Sequence, residues 1–191
     1  MTLLPRVFLI TVLGFLLSAC GPPSPSFDRF LTQDQVSHGA WGLSGVMSIQ
    51  HGRKRVLAHY HWKHSLRRDV IDVSGTFHIA ATKIIITASG ATLIASDGRH
   101  YTASTADELM KEHLGWSLPM RSLTYWVRGL EAPGAAAVGK QKDKGFLVAL
   151  TQLGWQMHWY SYHTVGHLRL PKLMTLRKGE WSFRIAFNRW S

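Results

Sequence analysis

Three stretches of the chain carry residue types with recognisable chemistry. Gly134-Ala135-Ala136-Ala137-Val138-Gly139-Lys140-Gln141 nearly spells the phosphate-cradling loop GxxxxGK[ST]. Gln141 stands where a Ser or Thr hydroxyl would hold magnesium, and Pro133 precedes the loop where a hydrophobic strand should be. Only the weak Gln141–Lys144 stretch follows where a helix should open, so the segment reads as a flexible surface loop. His59-x-His61 puts two imidazoles on one face of an extended strand with His64 close by, an arrangement that could serve zinc. No Asp, Glu or Cys lies at matching spacing nearby, and Lys63 continues the same face, as on a solvated strand. No GxSxG occurs, the acidic residues are scattered, and Asp107-Glu108 belongs to a helix start. With no visible nucleophile–base pair, the chain is expected not to be an enzyme and to use no metal and no nucleotide.

The third stretch is chemical in another sense. Met1–Arg6 carries one positive charge, Val7–Leu17 is apolar apart from Thr11 and Gly14, and Leu17-Ser18-Ala19-Cys20 follows. A charged start, a short apolar region and small residues before a cut site describe a secretory signal. The Cys directly after the small residues makes the pattern similar to a bacterial lipobox, in which Cys20 would be acylated and become the mature N-terminus. The expected lipid is an N-acyl and S-diacylglycerol group, with no other cofactor. Gly21 rather than Asp follows the Cys, which in that sorting scheme favours the outer membrane, with the domain facing the periplasm. Residues 1–19 are therefore read as signal peptide and 20–34 as lipidated N-terminus and tether, since Gly21-Pro22-Pro23-Ser24-Pro25-Ser26 can neither pack nor form a helix. Residues 35–191 form a single domain. A lone Cys leaves no disulfide framework, and no apolar run reaches the ~20 residues of a spanning helix.

The 191 residues carry 22 Lys plus Arg against 11 Asp plus Glu, a formal charge of +11. Cleavage would remove only Arg6 from that total. In an exported chain with scattered cations, the counterpart is expected to be an anionic membrane surface or an acidic protein rather than nucleic acid.

The elements that must position these residues are mostly strands. Trp41, Leu43, Gly45, Met47 and Ile49 share one face of Trp41–Gln50, the period-2 pattern of a half-buried strand. His51-Gly52-Arg53 turns the chain, and Val56, Ala58, Tyr60 and Trp62 share a face of Arg55–Lys63. Asp69–Val73, Lys83–Thr87, Thr92–Ser96 and Arg99–Ala103 are short β-rich runs with hairpin signals at Ser89-Gly90 and Asp97-Gly98. Thr105-Ala106-Asp107-Glu108 has the capping-box form of a helix start, and a second helix is predicted from Leu118-Pro119 to a stop at Gly129. Ala132–Lys144 reads as a loop. Strands resume at Phe146–Gln152 and Trp155–Tyr162, Pro171 punctuates the chain, and Met174–Arg177 and Trp181–Trp190 finish it. This order predicts an antiparallel sheet with helices on one side.

Eight Trp are more than a small core commonly needs. A long sheet curls, and large rings on its inner face suit the wall of a lipid-sized cavity. The candidate wall residues are Trp41, Trp62, Trp116, Trp126, Trp155, Trp159 and Trp181.

Leu114-Gly115-Trp116-x-Leu118-Pro119-x-x-x-Leu123-x-x-Trp126-Val127-x-Gly129 is distinctive, and with the lipobox it resembles the outer-membrane lipoprotein receptors of the LolB family. Trp41-x-x-x-Gly45, Gly98-Arg99-x-Tyr101-Thr102-Ala103, Gln152-Leu153-Gly154-Trp155, Leu170-Pro171 and Trp190 extend the resemblance from Cys20 to the C-terminus. It implies an α+β fold: an incomplete, open antiparallel β-barrel of about eleven strands with a helical lid. It also implies a monomer that accepts acylated lipoproteins from the soluble carrier LolA and inserts them into the outer membrane without ATP. The rival function is a lipid-binding outer-membrane lipoprotein with no insertion role. One departure stands out. The family has a Gly-Pro-Leu-Gly-like turn whose Leu protrudes, whereas this chain reads Gly75-Thr76-Phe77-His78. Phe77 takes the Leu position and is the candidate membrane-insertion tip; the alternative is a buried strand residue.

Overall fold

The computed structural model describes residues 39–75 and 81–191. The expected signal peptide and tether, with Cys20, and the candidate tip Phe77 lie outside the described residues. Six strands come first: β1 (Trp41–His51), β2 (Lys54–His64), β3 (Arg68–Gly75), β4 (Thr82–Thr87), β5 (Gly90–Ile94) and β6 (His100–Ala103). Two helices follow, α1 (Ala106–Leu114) and α2 (Met120–Trp126). Then come β7 (Ala137–Asp143), β8 (Phe146–Gln152), β9 (Trp155–Val165), β10 (Leu168–Lys178) and β11 (Trp181–Trp190). All eleven strands form one sheet in the order β6-β5-β4-β3-β2-β1-β11-β10-β9-β8-β7, with every neighbouring pair antiparallel. The sheet is open, because its edges β6 and β7 do not pair. The expected open barrel of eleven strands with two helices is what the chain forms.

This topology settles where the helices must lie. β6 and β7 are consecutive in sequence but occupy opposite edges of the sheet, so the chain between them has to cross a face of it. The face crossed is the apolar one. Alternate residues of β1, β2 and β11 are buried there: Leu43, Met47 and Ile49, then Ala58, Tyr60 and Trp62, then Phe183, Ile185 and Phe187. The helices return the match with Leu109 and Met110 of α1 and Met120, Leu123 and Trp126 of α2, all buried. Each such side chain contributes about 1.5–3 kcal/mol on burial, so this face is where the folding energy concentrates.

Local signals explain the helix ends. Thr105 Oγ1 accepts from the Glu108 backbone N–H at 3.2 Å, and Asp107 and Glu108 favour the positive end of α1. Gly115 closes α1 in the left-handed conformation. After α2, the Leu130 N–H donates to Tyr125 O and the Gly129 N–H to Trp126 O, the paired bonds of a Schellman stop around left-handed Gly129.

Two expectations are corrected. The Ala132–Lys144 segment is not wholly a loop, because Ala137–Asp143 forms β7. Its residues from Val138 onward are exposed, so it shows no buried alternation to betray a strand. Gly139 is left-handed at φ 67° and lies in the register shift between Val138 and Gln141, where an extra residue is accommodated. Pro171 does not divide the chain either. It lies inside β10, at the start of a register shift against β9, and β10 pairs with β11 only from Leu173 onward. Proline is tolerated at such a place because no ladder bond is asked of its nitrogen.

Candidate functional site

An apolar cavity of about 50 Å³ lies between the sheet and the helices. β1, β2, β3, β4 and β11 supply one wall through Leu43, Met47, Tyr60, Trp62, Ile71, Val73, Ile84, Ile185 and Phe187. Met110 of α1, Met120 and Leu123 of α2, Trp116 and Leu118 between them, and Val127 supply the other. The side-chain N and O atoms of this lining are the Tyr60 hydroxyl, which donates to the Ala186 carbonyl at 3.0 Å, the Trp62 indole N–H, which donates to Asp69 at 2.7 Å, and the Trp116 indole N–H. Burial pushes the Tyr60 phenol far above its ordinary range, so it stays neutral. The cavity lining therefore carries no charge. Three of its lining residues are methionines, Met47, Met110 and Met120, whose unbranched side chains adapt to irregular space.

The volume matters for how the site would work. Cavities that hold small ligands span roughly 300–1,000 Å³. At 50 Å³ this one is nearly shut, with the helices seated on the sheet. That space is too small for an acyl chain as it stands.

The ties of the helices are unequal. The α2 end is pinned by polar contacts: Trp126 Nε1 donates to Gln152 Oε1 at 2.8 Å, and Trp159 Nε1 donates to the Trp126 carbonyl at 3.0 Å. Gln152 is 1% exposed and fully used, since its Oε1 also accepts from the Ala132 N–H and its Nε2 donates to the Ala132 and Ala135 carbonyls. α1 rests on β5 and β6 through apolar packing and a Tyr101–His113 ring contact at 4.1 Å. The two helices are linked to each other where the Asp107 carboxylate accepts a hydrogen bond from the Met120 backbone N–H. Partial burial nonetheless raises the Asp107 pKa above the ordinary carboxylate value.

The seven tryptophans expected at the cavity separate into groups. Trp62 and Trp116 line it. Trp41 is buried in edge contact with Trp62 at 5.0 Å and stacked on His64 at 4.7 Å, away from the lining. Trp126 and Trp159 are the buried, hydrogen-bonded anchors just described. Trp155 packs edge-on to Phe183 at 5.7 Å, and half-buried Trp181 stacks on His51 at 4.1 Å. Sequence reasoning picked ring size and passed over the methionines and Tyr60, although Met47 and Tyr60 already stood on the correct apolar faces.

The histidine and phosphate-loop segments come out differently. His59 and His61 are exposed on the outer side of the sheet. His64 instead meets Asp69 at 2.7 Å, and the same carboxylate oxygen accepts from Trp62 Nε1 at 2.7 Å. Among the described residues no three His, Cys, Asp or Glu groups come together to hold a metal ion. Ala137–Gln141 lies in β7, which hairpins into β8, so no helix N-terminus faces that loop. Also among the described residues, no helix is long and apolar enough to cross a membrane.

Known proteins share both the sequence and the architecture. A protein named Outer-membrane lipoprotein LolB from Coxiella burnetii (strain CbuK_Q154) is 35% identical over 162 residues, which covers 85% of this chain and 76% of that protein. A protein of the same name from Chromohalobacter salexigens is 31% identical over 193 residues, covering 97% of this chain and 90% of its own. Two crystal structures share the fold at a TM-score of 0.51 each. One is a DUF1329 family protein from Desulfovibrio piger, at 10% identity over 82% of this chain and 87% of that one. The other is a putative outer membrane lipoprotein-sorting protein domain from Vibrio parahaemolyticus, at 8% identity over 80% and 84%. The sequence profile described as Outer membrane lipoprotein LolB matches residues 39–190, which takes in every strand and helix around the cavity, and on these grounds the chain belongs to the LolB family.

Proposed function

We propose that the protein is an outer-membrane lipoprotein that takes acylated lipoproteins from the periplasmic carrier LolA into the cavity between sheet and helices and inserts them into the outer membrane. The observation that carries this reading is a cavity whose side chains are apolar, neutral and methionine-rich, covered by two helices that the topology places across it. Each buried methylene of an acyl chain is worth ~0.8 kcal/mol, so acyl chains need continuous shelter between carrier and bilayer. Such a cavity supplies shelter by exchange, and the flow runs downhill from carrier to receptor to membrane. Opening would lift α1 and the Leu114–Pro119 link, with the α2 end at Trp126 as the pivot, because that end holds the hydrogen bonds. Cys20 would carry the lipid that keeps the receptor at the membrane, and Phe77 would touch the bilayer interface during release.

The test is a two-stage assay without ATP, carrier to receptor and then receptor to liposome. Trp116 lies on the moving wall, so cargo uptake should shift tryptophan emission to the blue and protect it from an aqueous quencher. Phe77→Glu should leave uptake intact and impair delivery to liposomes, while Phe77→Leu should pass both stages. Uptake with no delivery by the unaltered protein would instead mark a lipid-binding lipoprotein without an insertion role. No uptake at all would sink the proposal.

A further inference from the structure

A second cleft, distinct from the acyl cavity, opens where the end of α2 meets the β7–β8 and β9–β10 hairpins, and it has a volume of about 430 Å³. Arg128, Lys140, Lys142 and Arg169 bring four cations to its lining, against a single acid, Glu131. Glu131 is already engaged by Lys140 Nζ at 2.7 Å. The remaining lining is largely apolar, with Phe146 and Leu168 prominent. The two arginines are held rather than splayed. Arg128 is 6% exposed, its Nε donates to the Thr124 carbonyl at 2.7 Å, and its guanidinium lies 4.9 Å from the Tyr125 ring centre. The Arg169 guanidinium lies 5.4 Å from the centre of the Phe146 ring.

We propose that this cleft binds the phosphate headgroup of an anionic phospholipid. Three features select that ligand. The volume falls within the ~300–1,000 Å³ of small-molecule clefts, whereas protein surfaces meet over broad, flatter patches. Planar guanidinium groups match phosphate oxygens in pairs, and both arginines are held by neighbouring groups. The apolar walls beside the cations suit a phosphate attached to glycerol and methylenes, not a bare ion. Position adds a fourth argument, which rests on the proposed Cys20 anchor. In the antiparallel order the β7–β8 and β9–β10 turns lie at the end of the sheet where β1 begins, so the first described strand starts at the cleft's end. β3 ends and β4 begins at the other end of the sheet.

The experiment uses the mature chain with Cys20→Ala, so a failure of the anchor reading does not touch it. Monomeric dihexanoyl phosphatidylglycerol is titrated by calorimetry, in parallel with dihexanoyl phosphatidylcholine, inorganic phosphate and an oligoglutamate peptide. Saturable binding is expected for phosphatidylglycerol, tighter than for the other three. Lys142→Glu with Arg169→Glu should weaken it by about tenfold or more, since charge-assisted contacts to phosphate are lost. Arg53→Glu with Lys54→Glu, on the remote β1–β2 turn, removes the same charge and should change it little. Equal weakening by the two pairs would reduce the effect to diffuse charge and overturn the proposal. So would phosphate or phosphatidylcholine binding as well as phosphatidylglycerol, and oligoglutamate binding more tightly would make the cleft a protein-docking site instead.

Discussion

Gly45 lies where β1 shifts register against β11, and the site leaves no room for a side chain. A Cβ there would fall 1.9 Å from the Ala186 carbonyl oxygen and 2.8 Å from the Tyr60 hydroxyl, the pair whose hydrogen bond satisfies the phenol on the cavity wall. Gly45→Ala is expected to destabilise the protein by about 1–3 kcal/mol or more, because backbone rather than a flexible side-chain end must move. The denaturation midpoint in urea checks this, and an unchanged midpoint would refute the packing argument. Gln152 makes the complementary case for polar burial. Gln152→Leu strands the Trp126 indole N–H and both peptide groups of Ala132, at ~1–3 kcal/mol for each orphaned group, so a loss of about 3 kcal/mol or more is expected despite the more apolar side chain. Because the same residue anchors the α2 end, the variant should also accelerate amide exchange in α2 beyond what its global destabilisation explains.

At the scale of elements, the helical cover behaves as one piece because α1 caps α2. The α2 N-terminus has no side-chain cap of its own, and Asp107 of α1 serves Met120 instead. Burial holds the Asp107 pKa above its unfolded value, with the Met120 bond opposing that shift and Glu108 adding to it. The ionised form is therefore the less favoured one in the fold. Its cost is present at neutral pH, above the raised pKa, and is relieved as pH falls through the carboxylate range. Asp107→Asn keeps an acceptor for Met120 and removes the charge, so it should melt at or above the unaltered protein at pH 7. The gap should close as pH falls toward 4, where the carboxyl of the unaltered protein takes up its proton. A gap that widens on acidification would reverse the sign of this argument. Asp107→Ala lacks the acceptor and should lower the melting temperature across the whole range.

For the whole molecule, a formal charge of +11 sets how partners approach. The cations are distributed over both ends of the sheet, at Lys54 and Arg55 on one side and Lys142 and Arg169 on the other. A field of one sign speeds encounter with an acidic partner and fades as salt shortens the Debye length to ~8 Å at physiological strength. The association rate with the proposed carrier is expected to fall steeply between low and physiological salt, while the dissociation rate changes little. A flat association rate in stopped-flow mixing would assign the charge to the membrane surface instead.

The strands were legible because burial on one face forces period-2 alternation, as in Trp41–Gln50 and Trp181–Phe187. The helix caps were legible because Thr105 and Gly129 act within a few residues of themselves. β7 was not, since an exposed edge strand buries nothing and its Lys140 and Lys142 read like a loop. Pro171 misled because the register shift that tolerates it is set by how β10 pairs with β9 and β11, not by the residues around the proline. The tryptophans show the limit most clearly. Sequence alone placed their rings on apolar faces. Whether a ring lines a cavity, as Trp62 and Trp116 do, or anchors a helix by its N–H, as Trp126 and Trp159 do, depends on which acceptors and neighbours the fold brings up. The nearly closed cavity and the cationic cleft likewise exist only in three dimensions. They are gathered from up to seven separate segments by a sheet order that no local pattern encodes.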